Sequence, residues 1–174
     1  LGKIRFRFGR EAAALVFNFS FKFIVRREGL SLQFALDKTY RVVSSASVDV
    51  LWQKLMNLAD VSWHPLLAST NAPLGLVPKP GLIYQVVTRI LPIPVRIFVE
   101  RVSPMELLSF RVIALPGVEN LVTYRVESAV CGSCISCSIT LRGWLSPLLW
   151  WLIQPYMKQV AAQLAQAAEQ IAAL

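Results

Sequence analysis

The chain has 174 residues, enough for one domain with a sizeable core. It is 55% hydrophobic and only 16% charged, where an ordinary soluble domain carries about 25% charged residues. A composition this apolar calls for a large interior, an internal cavity or a face not meant for water, yet no stretch reaches the roughly 18 to 20 uninterrupted apolar residues of a membrane-spanning helix.

The net charge of +8 is unevenly placed: residues 1 to 41 hold nine of the 18 Lys/Arg and three of the ten acidic residues. The basic character therefore belongs to an N-terminal arm, assigned to residues 1–32, ahead of a domain at 33–174. Within the arm, "KIRFRFGR" and "LVFNFSFKFIVRR" place aromatic residues at alternate positions. A helix would scatter Phe17, Phe19, Phe21 and Phe23 around its barrel, whereas a strand puts them on one face. The arm is thus expected to be extra β structure. Its rings and its arginines, Arg5, Arg7, Arg26 and Arg27 among them, then face opposite ways. That suits docking on an anionic membrane surface or a membrane protein complex better than base stacking, so nucleic acid is disfavoured as a partner.

"FALDKTYRVVSSAS" (34–47) alternates as a strand. Ser47 and Asp49 then open "VLWQKLMNL", which has helical spacing, and "ADVSWHPLLAS" reads as a second short helix or turn broken at Pro65. "NAPLGLVPKPG" (71–81) is a Pro/Gly loop. Five short strands follow, at 82–90, 94–102, 107–115, 120–128 and 134–144, with hairpin-length connections that predict an antiparallel meander. From Pro147 to Leu174 the period changes. Leu149, Leu152, Tyr156, Val160 and Leu164 recur at three- and four-residue steps, as in a long amphipathic helix that Pro155 would kink or restart. This α+β order leaves one apolar sheet face for the last helix to cover, with a pocket between them.

In this order, "VVSSASVDVLWQKLMNLADVSWHP", "LSFRVIALPGVENLVTYRVES" and the glycine-bounded strand "GSCISCSITLRG" resemble the START-like (SRPBCC, helix-grip) superfamily, particularly its bacterial polyketide cyclase/dehydrase and lipid-transport-like branch. The likeness covers roughly residues 34 to 174. It implies a helix-grip fold: a curved antiparallel sheet wrapped around the C-terminal helix, two short helices after the first core strand, and a cavity for a hydrophobic ligand. It does not imply one function.

Strand parity supplies an independent lining. It turns Tyr84, Val86, Ile97, Phe110, Tyr124, Ile135, Cys137 and Ile139 inward. With Trp63 and, from the helix, Leu152, these are the candidate ligand-binding residues; plain core packing is the competing role for each. Tyr84 and Tyr124 are the most informative, because a buried phenol needs a polar partner. No carboxylate falls on the inner face by this parity, so a binder is favoured over an acid–base enzyme. His64, in "SWHPLL", is read as structural or gate-side, with acid–base work as the alternative. In "CGSCISC" the three cysteines lack a fourth ligand and are read as structural; no metal or cofactor is expected. Trp150 and Trp151 in "WLSPLLWWLI" are candidates for membrane or partner contact, against core packing.

The expected function is binding or transfer of a lipid, isoprenoid, quinone or pigment at the cytoplasmic side of a membrane. The alternatives are a polyketide cyclase/dehydratase-like enzyme and an accessory subunit docked on a larger membrane complex.

Overall fold

The structure, a computed structural model, describes residues 16–18 (as backbone), 35–90, 92–130 and 132–173. The rest of the arm, with Arg5, Arg7, Arg26 and Arg27, lies outside the described residues, as does Cys131. Val16–Asn18, β1, pairs antiparallel with β2 (Ala35–Ser44).

β2 alternates as its sequence requires, burying Tyr40, Val42 and Ser44 while Thr39, Arg41 and Val43 face out. The chain then turns into α1 (Val48–Met56). Ser47 caps this helix, its Oγ accepting from the Val50 N–H at 3.4 Å, with Asp49 in the first turn and Lys54 in the last, matching the helix dipole. Leu51, Trp52 and Leu55 form its buried face.

The second short helix expected after α1 is not formed. Asp60 accepts from the Ser62 backbone N–H at 3.0 Å and from the Ser62 hydroxyl at 2.6 Å. This local bonding gives the backbone an alternative to a helix. The segment runs as turns into β3 (Leu67–Thr70), a strand absent from the sequence reading.

β4 (Ile83–Thr88), β5 (Pro94–Ser103), β6 (Leu107–Ile113), β7 (Glu119–Ala129) and β8 (Gly132–Arg142) form the expected meander. The curled sheet runs β1-β2-β8-β7-β6-β5-β4-β3, with every pair antiparallel. The first core strand therefore closes beside the last. Its outer face carries cross-strand ion pairs, Arg41 with Glu127 at 2.7 Å and Arg111 with Glu100.

α2 (Ser146–Ala172) starts with Pro147 in its first turn and runs unbroken through Pro155. Proline frees the carbonyl four residues back, here that of Trp151. Both residues are exposed, so water can take up the lost hydrogen bond. The buried stripe is Ile153, Met157, Val160, Ala161, Leu164, Ala165 and Ala168. Three alanines let the helix lie close over β2 and β8, and it also packs on α1. Near its C-terminal end Glu169 accepts from the Ser44 hydroxyl and the Ser45 N–H, both at 2.9 Å. These bonds, the Ser45 N–H foremost, hold its carboxyl below the usual carboxylate range although partial burial works the other way. The corner between β2 and α1 is thereby tied to the helix.

Candidate functional site

Because α2 covers β2 and β8, the other half of the sheet is left with a concave face of its own. There β4 supplies Tyr84 and Val86, β5 supplies Val95 and Ile97, β6 supplies Phe110, and β7 supplies Asn120, Val122 and Tyr124. The end of α1 and the turns after it close the hollow with Leu58, Asp60, Trp63 and His64, and α2 contributes Met157. The space inside is about 110 Å³, within a wider hollow of about 790 Å³ that includes the open mouth.

Six of the ten residues expected to bind ligand line this cavity: Trp63, Tyr84, Val86, Ile97, Phe110 and Tyr124. The other four do not. Ile135, Cys137 and Ile139 point inward as parity requires and are fully buried, but they lie on the strand that α2 covers. Leu152 is half-buried beside the true stripe, and Met157 reaches the cavity in its place. Cys134, on the opposite face of β8 from Cys137, is partly exposed.

The aromatic rings form a chain. Tyr84 meets Phe110 edge-on at 6.4 Å, Phe110 meets Tyr124 at 6.1 Å, and Tyr124 meets Trp63 at 6.3 Å. Such T-shaped pairs set a positive ring edge against a negative face, which fixes the wall as well as greasing it. His64 stands beside Trp63 at 5.2 Å.

A polar string runs behind the rings. The Leu66 N–H donates to His64 Nδ1 at 3.2 Å, so in the neutral ring the proton sits on Nε2. Nε2 lies 3.3 Å from the Tyr124 hydroxyl and donates to it. Cys137 is the direct cross-strand partner of Tyr124 and helps to keep its phenol protonated. Tyr124 is thus satisfied inside the protein, whereas burial alone perturbs Tyr84.

Burial dominates the electrostatics. It pushes His64 down to about 3, helped by the Arg89 cation, and pushes the Cys137 thiol up to about 12 against the Tyr124 hydrogen bond. It raises the Tyr84 phenol and holds that of Tyr124 well above its ordinary value, with Cys137 adding to the latter. Asp60 is the one carboxylate on the lining, and no strand parity could have found it, since it sits in a turn. Burial works to raise it, but Lys54 at 2.5 Å and the Ser62 donors outweigh this and keep it ionised. Among the described residues no lining group is poised to exchange a proton near neutrality, which is what general acid–base catalysis requires. They also contain no group of three or more His, Cys, Asp or Glu placed to hold a metal ion.

Asn120 and His64 were also missed as lining. Asn120 shares the parity of Val122 and Tyr124 and was legible on that ground. His64 depends on a turn whose path the sequence does not specify.

At the start of α2 the tryptophans divide. Trp150 packs partly against the core, while Trp151 is 74% exposed, with Trp144 and Leu148 on the surface near it in sequence. No helix among the described residues is long and apolar enough to cross a membrane.

The fold is a helix-grip fold: a curled antiparallel sheet around a long C-terminal helix. Solved structures with this fold align over most of the chain. Ara h 8.0201 is 11% identical with a TM-score of 0.61, covering 79% of this chain and 99% of its own. Norcoclaurine synthase from Thalictrum flavum, in complex with dopamine and hydroxybenzaldehyde, is 17% identical with a TM-score of 0.56, covering 88% and 96%. The di-domain aromatase/cyclase StfQ from the steffimycin biosynthetic pathway is 15% identical with a TM-score of 0.63. It aligns with 80% of this chain over 52% of its own length. At these identities the likeness is one of fold. No family model and no curated protein matches the sequence.

Proposed function

We propose that the protein binds a hydrophobic small molecule as a carrier or sensor and does not transform it. The observation that carries this reading is a cavity walled by edge-packed aromatic and aliphatic side chains, whose titratable groups are locked in one protonation state by burial or pairing. The alternative of cyclase-like chemistry draws on neighbours such as StfQ, a fold-level analogy only. It requires a proton acceptor that His64 at about 3 does not offer. Native mass spectrometry of gently purified protein is expected to show a co-purifying lipophilic compound that denaturation releases. A protein that carries none, and takes up none from a set of hydrophobic compounds, is not a carrier.

The same reading places the protein at an anionic membrane surface, with the basic arm and the exposed Trp151, Trp144 and Leu148 as contacts. Flotation with anionic liposomes is expected to carry the protein upward, and Trp144→Ser combined with Trp151→Ser to lose most of that fraction. Equal flotation of both proteins, or equal flotation with neutral vesicles, removes the membrane from the proposal.

A further inference from the structure

We infer that the guest of this cavity is a single-ring compound bearing a hydroxyl, recognised by Trp63 and Asn120. This rests on the hydrophobic-guest reading and narrows it. The space of about 110 Å³ between the walls is of the order of an engineered apolar cavity of about 150 Å³ that takes up benzene. It is well short of the roughly 300 to 1,000 Å³ of sites for drug-sized ligands. Between the walls one six-membered ring is the right scale, and a longer acyl chain would have to run out through the mouth.

The polar atoms specify the rest. Trp63 Nε1 and Asn120 Oδ1 are both buried and have no hydrogen-bond partner among the described residues, and both residues line the cavity. One is a donor only and the other an acceptor only. Buried groups of this kind are nearly always paired, because an unmade hydrogen bond forfeits the hydration that was given up. Of the other polar groups on the lining, Tyr84 offers a further hydroxyl that a guest can meet. Tyr124 is engaged with His64, and Asp60 with Lys54. A hydroxyl meets both demands, its oxygen accepting from the indole and its proton going to the amide oxygen. The Tyr84, Val86, Ile97 and Phe110 side chains take the ring.

Phenol, anisole and toluene share a ring and differ stepwise: donor and acceptor, acceptor only, neither. Titrated into the full chain and followed by NMR shifts of the cavity methyls, phenol is expected to bind at least about tenfold more tightly than toluene, with anisole between. Asn120→Leu should erase the advantage of phenol over anisole, and Trp63→Phe that of anisole over toluene. Toluene binding as tightly as phenol overturns the inference, and because that comparison uses the unmodified chain it survives any folding defect in the variants. Palmitate separates the two readings. Palmitate bound while all three ring compounds are refused sinks this inference and leaves a hydrophobic carrier. Refusal of all four, with water alone on Trp63 and Asn120, sinks both.

Discussion

Gly143→Val is expected to remove a large share of the domain's stability, about 2–6 kcal/mol. Gly143 has φ +129°, a conformation that side-chain-bearing residues rarely adopt, and a Cβ built on it would lie 2.1 Å from the Gly117 carbonyl oxygen in the turn between β6 and β7. That obstacle is backbone and cannot swing aside. Backbone strain of about 1–3 kcal/mol adds to an overpacking cost of about 1–3 kcal/mol, against a total stability of about 5–15 kcal/mol for a domain. Gly132, at the other end of β8, is built alike: φ +133°, with a Cβ 2.2 Å from the Ser44 carbonyl oxygen. Gly81 provides the control, since its φ of +91° is unusual but nothing lies within 4 Å of an added Cβ. Gly81→Val should therefore cost the strain alone. Urea unfolding followed by circular dichroism orders the three; a Gly143→Val protein as stable as Gly81→Val would mean that the turn does not press on the end of β8.

The same two glycines explain why "GSCISCSITLRG" carried so much of the resemblance. β8 is an interior strand, gripped by β2 on one side and β7 on the other and roofed by α2, and both its ends come against other backbone. A pair of glycines bounding a strand of alternating residues is the local record of that crowding.

The strands were legible because a sheet with one wet and one covered face writes its parity into every second residue. Tyr84, Val86, Ile97, Phe110, Val122 and Tyr124 were placed on the correct face on that signal alone. Parity gives a face, however, and not what lies over it. Ile135, Cys137 and Ile139 obey the same rule, yet they meet α2, because the position of the helix across the sheet is set by packing between distant parts of the chain. The phase of α2 was ambiguous at its start for a simpler reason. "LLWWLI" is apolar all round, so its periodicity does not choose a stripe; of the expected stripe only Val160 and Leu164 fall on the buried face, and Ile171, counted on the same stripe, is exposed. The turns from Asn57 to Leu66, which bring Asp60, Trp63 and His64 to the mouth, follow from side-chain-to-backbone bonds made by Asp60 and His64 that no periodicity announces.

Acidification is expected to destabilise the domain from well above the range where carboxylates titrate, with His64 as the cause. In the folded chain His64 is held neutral down to about 3, from an ordinary value of 6.5. Burial is the main reason, and the Arg89 cation adds to it. Of the other groups around it, Tyr124 stays neutral, and Asp60 on the same turn is engaged with Lys54. Between pH 6.5 and about 3 the unfolded chain therefore binds a proton that the folded chain refuses. Stability rises with pH wherever the unfolded state holds more protons. The His64 contribution is whole above 6.5, falls as pH drops below it, and levels off near 3. The slope approaches about 1.4 kcal/mol per pH unit, so a fall of two units should cost about 2–3 kcal/mol. Asp60 and Glu169, both held below the ordinary carboxylate range, add losses of their own only further down. Unfolding midpoints measured from pH 7 to 5 isolate the histidine. His64→Gln, whose amide can still donate toward Tyr124, should flatten that segment of the curve, and the His64 ring resonance should show no titration before the chain unfolds. A midpoint that holds steady over the same interval in the unmodified protein would mean that water reaches the imidazole. The cavity wall behind Trp63 would then be open where the structure has it sealed.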